Sequence, residues 1–191
     1  MQLPVYSIAI CPPSEVTCYV RELKEELRLR IGHYPSCHSE AHLSLTHFTA
    51  DERAARRWLL VLEKCCAGVS SFEFRLKGVR AFSQGTVYMM PDAESRERFL
   101  GLCGQIRQAS GRLKKHPFSL TPHLTIARQL DEQQLDTAFR VLMPKAVATR
   151  FLCSDIALRK FDPDRGQYTI VQRIPFGNYH TAALPWQSAL W

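Results

Sequence analysis

Two short stretches of the chain carry the same order of reactive groups: His42-Leu43-Ser44-Leu45 and His123-Leu124-Thr125-Ile126. Each reads histidine, apolar, hydroxyl, apolar. On an extended strand, side chains two apart point to one face. His42 would then share a face with Ser44, and His123 with Thr125, while the intervening apolar residues turn into a core. Two imidazoles and two hydroxyls meeting in one cleft suit phosphodiester cleavage. A neutral imidazole can take a proton from water and an imidazolium can give one to the leaving oxygen. Histidine can do both because its unperturbed pKa is about 6.5. The hydroxyls can donate to the non-bridging phosphate oxygens, where charge grows in the transition state. This chemistry requires neither metal nor cofactor. A lone strand histidine is most often only a satisfied polar side chain; the matched pair argues for more. Which of the two is the base is left open at this level.

Four helices and a series of strands must position these groups. Val16, Val20, Leu23, Leu27 and Ile31 fall on one helical face after Pro12-Pro13-Ser14. A second helix is expected to open at Thr49, with Glu52 completing a capping box, and to carry Ala55, Trp58, Leu59 and Leu62. A third runs from near Asp92 to Gly111, and a fourth from Asp131 to Pro144. Strands are expected over 5–10, 42–48, 72–82, 86–90, 123–128, 151–161 and 168–174, with hairpin turns at Gln84-Gly85 and Asp164–Gly166. Helix starts, strand ends, turns and both histidine motifs recur at an offset of about 80 residues. The fold class is therefore α+β. Residues 1–191 form one domain of two internal repeats, about 5–85 and 86–174, with a tail at 175–191. The repeats make two pseudo-symmetric lobes, each with an antiparallel sheet and helices, facing across a cleft. The competing reading is a single α+β sandwich whose spacing is coincidental.

The totals fit an enzyme of anionic substrates. Net charge is +7 and the sequence pI is near 9.2, which favours a nucleotide or RNA partner. No apolar run approaches the ~20 residues of a membrane span. The first eleven residues read as a strand rather than a signal peptide. Seven cysteines without a C-x-x-C pair read as reduced thiols of a cytoplasmic protein.

Other residues are candidates for substrate contact. By alternation Phe48 shares the face of His42 and Ser44, where it could stack on a base; Tyr6, Tyr88 and Phe118 are weaker versions of this idea. Arg128, by strict alternation, faces away from His123 unless the strand end curls back. Lys114, Lys115 and His116 form a short basic loop. His33, Cys37, His38 and His42 crowd one segment, but their spacing matches no zinc-ligand pattern, and no metal is expected.

With this motif pair, at this spacing, in a basic chain of this length, the sequence resembles the two-histidine (2H) phosphoesterase superfamily. The stretch Pro122-His123-Leu124-Thr125-Ile126-Ala127-Arg128 is similar to its 2′-5′ RNA ligase and RNA 2′,3′-cyclic phosphodiesterase-like branch, as is a Phe after the first motif. Ser44 stands where that branch more often has Thr, and it keeps the hydroxyl. The resemblance implies a bilobal duplicated fold and hydrolysis of 2′,3′-cyclic phosphates on RNA ends or nucleotides, leaving 2′-phosphates; separately, a monomer is expected. Reversible 2′-5′ joining of RNA and a phosphate or base contact for Arg128 are further implications. The alternatives are a phosphodiesterase of 2′-5′ oligonucleotides or cyclic nucleotide signals, and a non-catalytic RNA-binding protein.

Overall fold

In a computed structural model, residues 3–111, 117–146 and 148–177 are described. The Lys114-Lys115-His116 loop and most of the 175–191 tail lie outside them. The element order is β1 (Val5–Ile10), α1 (Ser14–Ile31), β2 (Leu43–Thr49), α2 (Glu52–Cys66), β3 (Phe72–Phe82), β4 (Thr86–Pro91), α3 (Ala93–Ala109), β5 (Leu124–Ala127), α4 (Glu132–Leu142), β6 (Thr149–Cys153), β7 (Asp155–Asp162) and β8 (Gln167–Pro175). Two four-stranded antiparallel sheets result, ordered β2-β1-β7-β8 in the first lobe and β5-β4-β3-β6 in the second. The fold is thus mixed α+β with two similar sheets, as the repeated spacing anticipates.

The lobes are not the two halves of the chain laid side by side. The chain builds β1 and β2 in the first sheet, crosses to the second at β3, and returns only at β7. The expected single strand over 151–161 is therefore two strands, β6 and β7, in different sheets and separated by Ser154. A run of residues with strand propensity cannot reveal such a switch, because both pieces satisfy the same pattern.

The helix ends follow from local chemistry. The side chain of Asp51, not Thr49, caps α2 by accepting from the Ala54 N–H, while Thr49 closes β2. The expected Thr49–Glu52 box is thus replaced by an aspartate cap two residues later. Asp92 caps α3 in the same way. Asp131 and Gln134 form a reciprocal capping box on α4.

One continuous core joins the lobes. The helix α1 packs on α4 and reaches β5 and β6, and α2 packs on α3 and reaches β8. Leu43, Leu45, Leu124 and Ile126, the apolar members of the motifs, are completely buried. Each such side chain contributes about 1.5–3 kcal/mol, so the motifs are anchored by the same strands that present their polar groups. Gly85, at the β3–β4 turn, has φ +74°. Its carbonyl accepts from the Leu130 N–H at 3.0 Å, and a Cβ there would lie 2.1 Å from the Leu130 carbonyl oxygen. Glycine is the residue that lets the segment leaving the second motif lie flat on this turn.

Candidate active site

A cavity of about 890 Å³ between the sheets is lined by His42, Ser44, His123, Thr125, Arg128 and Phe118, together with Arg159, Tyr168 and His47. A slightly larger hollow of about 980 Å³ runs along α1 past Glu22, Glu25 and His38. It contains neither motif histidine nor motif hydroxyl, so the two-histidine chemistry concerns the smaller one.

Each histidine sits one residue before its strand and is held in the same manner. His42 Nδ1 lies 2.7 Å from the carbonyl oxygen of Glu40, and His123 Nδ1 lies 2.8 Å from that of Thr121. A carbonyl can only accept, so Nδ1 carries the proton in both rings. Nε2 is then the nitrogen that a neutral ring can offer as a base.

The surroundings of the two imidazoles differ. His42 is neighboured by cations: burial first, and the Arg159 guanidinium second, push its pKa down to about 3. Lys24 and His47 act in the same direction. His42 is therefore neutral at pH 7. His123 is flanked instead by the rings of Phe82 and Tyr88, both edge-on, with centroids at 5.1 and 5.4 Å.

A bulge follows each motif and redirects what comes after it. Along β1, Ile8 faces Thr46 and Ala9 faces Ser44, so Leu45 is the extra residue. Along β4, Val87 faces Ala127 and Tyr88 faces Thr125, so Ile126 is the extra residue. A bulge reverses the alternation beyond it. Phe48 consequently turns into the core, stacked between Tyr6 at 5.6 Å and Trp58 at 4.8 Å. Tyr6 and Phe48, expected in the cleft, are 4% and 2% exposed and are core residues. The same reversal brings His47 and Arg128 onto the cavity, although strict alternation points Arg128 away. Phe118 does line the cavity, bridged to Thr46.

The bulges also tie the lobes together. The carbonyl of Leu45 accepts from the Ser119 N–H at 2.7 Å, and that of Ile126 accepts from the Ser36 hydroxyl at 3.3 Å. The Thr46 hydroxyl donates to the Pro117 carbonyl at 2.9 Å. Under the segment leading to His42 lies Lys24, 2% exposed, whose ammonium donates to the Ser36 carbonyl and to the Ser39 carbonyl and hydroxyl at 2.7–3.0 Å. Burial lowers its pKa to about 8. On sequence Lys24 is one polar residue among several of an amphipathic helix, and nothing in its spacing sets it apart. Arg159, inside an ordinary strand pattern, is equally hidden.

Of the crowded group in the α1–β2 segment, His33, Cys37 and His38 come together, with ligand atoms all within 4.8 Å of one another. His42 is not among them.

Comparisons with known proteins agree with this architecture. The model of the 2′-5′ RNA ligase superfamily matches residues 12–165. TT0787 of Thermus thermophilus superposes with a TM-score of 0.66 at 21% identity, covering 92% of this chain and all of that one. E. coli LigT, solved with 3′-AMP, superposes with a TM-score of 0.63 at 17% identity, covering 93% of this chain and all of LigT. LigT has also been solved with ATP, and that structure gives a TM-score of 0.63 at 18% identity. The structural likenesses establish the shared fold. A comparison with curated proteins finds no match. The chain belongs to the 2′-5′ RNA ligase superfamily, and this membership supports a phosphoesterase-type activity, on phosphodiester bonds. Among the described residues no helix is long and apolar enough to cross a membrane.

Proposed function

We propose that the protein hydrolyses 2′,3′-cyclic phosphates of RNA ends or nucleotides without a metal, with His42 as general base and His123 as general acid. The observation that carries this reading is the paired anchoring of Nδ1 to a backbone carbonyl, which presents two Nε2 atoms from opposite sheets to one cavity. The assignment of roles rests on the cations beside His42, which keep it neutral.

In the proposed step, His42 Nε2 takes a proton from water as the water oxygen bonds to phosphorus. The bond from phosphorus to the ribose 3′ oxygen breaks, and His123 Nε2 delivers a proton to that oxygen. A 2′-phosphate remains. Ser44 and Thr125 donate to the non-bridging oxygens. A base with a pKa near 3 is a weak one. An anionic phosphate in the cleft offsets the neighbouring cations and raises it towards the range in which an imidazole catalyses well. Arg128 and Phe118 are proposed substrate contacts, to phosphate or base. Seven free thiols support a reducing, cytoplasmic location.

The test is a phosphorus NMR or chromatographic assay of nucleoside 2′,3′-cyclic phosphates and RNA with cyclic ends. Hydrolysis to a 2′-phosphate is expected. A 3′-phosphate product would reverse the proposed seating of the sugar. No hydrolysis of any cyclic phosphate would overturn the reading and turn attention to 2′-5′ oligonucleotides and cyclic nucleotide signals.

A further inference from the structure

Arg159 is 4% exposed, lines the cavity, and has a buried Nε with no hydrogen-bond partner among the described residues. Its Nη2 donates to the Ser7 hydroxyl at 3.3 Å, Cys11 hydrogen-bonds its side chain, and its guanidinium lies 5.0 Å from the centroid of the Tyr168 ring. None of these groups carries a compensating negative charge. Exposed arginines of this protein, such as Arg28, Arg75 and Arg173, pair with carboxylates. Arg159 makes no ion pair among the described residues; the Glu40 carboxylate acts on it only from beyond ion-pair distance. An arginine does not escape by losing its proton, and a buried cation without a counter-ion is strongly unfavourable.

The fold does not demand this charge. Arg159 stands opposite Ser7 on β1, two residues from Ala9, which faces Ser44. In the other lobe the matching position is Phe82, opposite Thr86, two residues from Tyr88, which faces Thr125. An aromatic ring fills that place and packs on His123. In the first lobe the matching place holds a guanidinium, and alanine stands where the second lobe has Tyr88. The guanidinium's partners Ser7, on β1, and Cys11, just beyond it, stand two residues either side of Ala9, which pairs with Ser44, and Arg159 and Ser44 line the same cavity.

We propose that Arg159 is a substrate-contacting residue whose missing counter-ion is the phosphoryl group, bound through its non-bridging oxygens beside Ser44. This deepens the phosphodiester reading of the cleft and rests on it for the identity of the anion. The free enzyme holds an unpaired cation, and the substrate supplies the opposite charge, so binding strengthens as charge accumulates on the phosphoryl oxygens. The second lobe contributes aromatic surface at the matching position, which makes the two walls of the cleft chemically distinct.

The experiment compares wild type with Arg159→Met and Arg159→Lys in the full chain. Calorimetric titration with inorganic phosphate and thermal unfolding with and without phosphate are measured alongside turnover. Wild type should bind phosphate and be stabilised by it. Arg159→Met should lose at least about tenfold in phosphate affinity, and Arg159→Lys should regain part of it. Without phosphate, Arg159→Met should unfold no earlier than wild type, because the variant no longer buries an unpaired charge. A purely structural arginine would give the opposite result, with early unfolding and undiminished phosphate binding. Undiminished phosphate affinity in Arg159→Met, or no saturable binding by wild type, would overturn the proposal. If phosphate binding depends on Arg159 while no cyclic phosphate is hydrolysed, the anion site stands and the substrate reading fails. If cyclic phosphates are hydrolysed equally well by Arg159→Met, the substrate reading stands and this assignment falls.

Discussion

The backbone N–H of Ser119 donates to the carbonyl of Leu45 across 2.7 Å, from the second lobe to the bulge that follows the first histidine motif. Side chains repeat the theme on either side of it, through Thr46 to Pro117 and Ser36 to Ile126. These bonds hold the motifs in register with each other. Thr46→Val and Ser36→Ala each delete one of them. Each is expected to cost about 1 kcal/mol, read by denaturant unfolding, and to lower turnover because the two imidazoles lose their fixed relation. Unchanged turnover in the double variant would show that the cleft is set by core packing alone.

Removing either imidazole removes a proton-transfer group. His42→Ala and His123→Ala are each expected to lower turnover of a cyclic phosphate by at least ~10²-fold. The double variant should be little worse than either single one, since the pair acts as a unit. Near-normal rates in either single variant, in preparations free of contaminating nuclease, would contradict the mechanism.

The hydroxyls should matter on the scale of an oxyanion donor. Ser44→Ala and Thr125→Ala are expected to lose roughly 10- to 10³-fold, and Ser44→Thr very little. If both alanine variants keep wild-type rates, the hydroxyls are strand residues without a catalytic part.

The pH dependence follows from the cations around His42. The groups facing it are Arg159 from β7, Lys24 from α1 and His47 from β2, against which the Glu40 carbonyl favours the charged ring. Its imidazolium is disfavoured, so as pH falls through 6.5 the ring of the free enzyme stays neutral and its Nε2 stays free to accept a proton once the phosphate is bound. The acidic limb of kcat/KM, which reports the free enzyme, should therefore lie well below the ordinary imidazole pKa of 6.5. Arg159→Met should move that limb upward. The same shift acts on folding. Between the ordinary imidazole pKa and about 3 the unfolded chain binds a proton at residue 42 and the native state does not, so stability falls as pH drops through that window. Unfolding scans from about pH 7 to about pH 4 on wild type and His42→Asn should show a weaker dependence in the variant. An acidic limb at the ordinary imidazole pKa that Arg159→Met leaves in place would refute this account.

Turnover should survive exhaustive chelation, because no step uses a metal. Loss of activity on chelation, restored by zinc, would refute metal independence. It would direct attention to His33, Cys37 and His38, whose ligand atoms lie within 4.8 Å of one another.

Much of this arrangement could be read from residue types. The helices α1, α3 and α4 follow from apolar periodicity and from aspartates and glycines at their ends, and the two motifs stand out because each repeats the other. What could not be read has a common cause. The bulges at Leu45 and Ile126 come from backbone register between strands, which leaves no mark in one strand's own pattern. They decide that Phe48 is core and that Arg128 meets the cavity. Arg159 and Lys24 are hidden for a related reason: their importance lies in what surrounds them in space, and their neighbours in sequence are ordinary.

The double crossing of the chain between the sheets has a consequence for how this cleft can be taken apart. A piece ending after α2 would contain the β1–β2 pair without β7, the strand beside β1, and the complementary piece would contain β7 and β8 without β1. Neither fragment could close its sheet alone. Mixed together, each would supply the strand the other lacks, so a nick in the α2–β3 connection should leave two fragments held together by the β1–β7 ladder and the common core. The two histidines, one on each fragment, are expected to stay together through that strand pairing even when the peptide chain between them is cut.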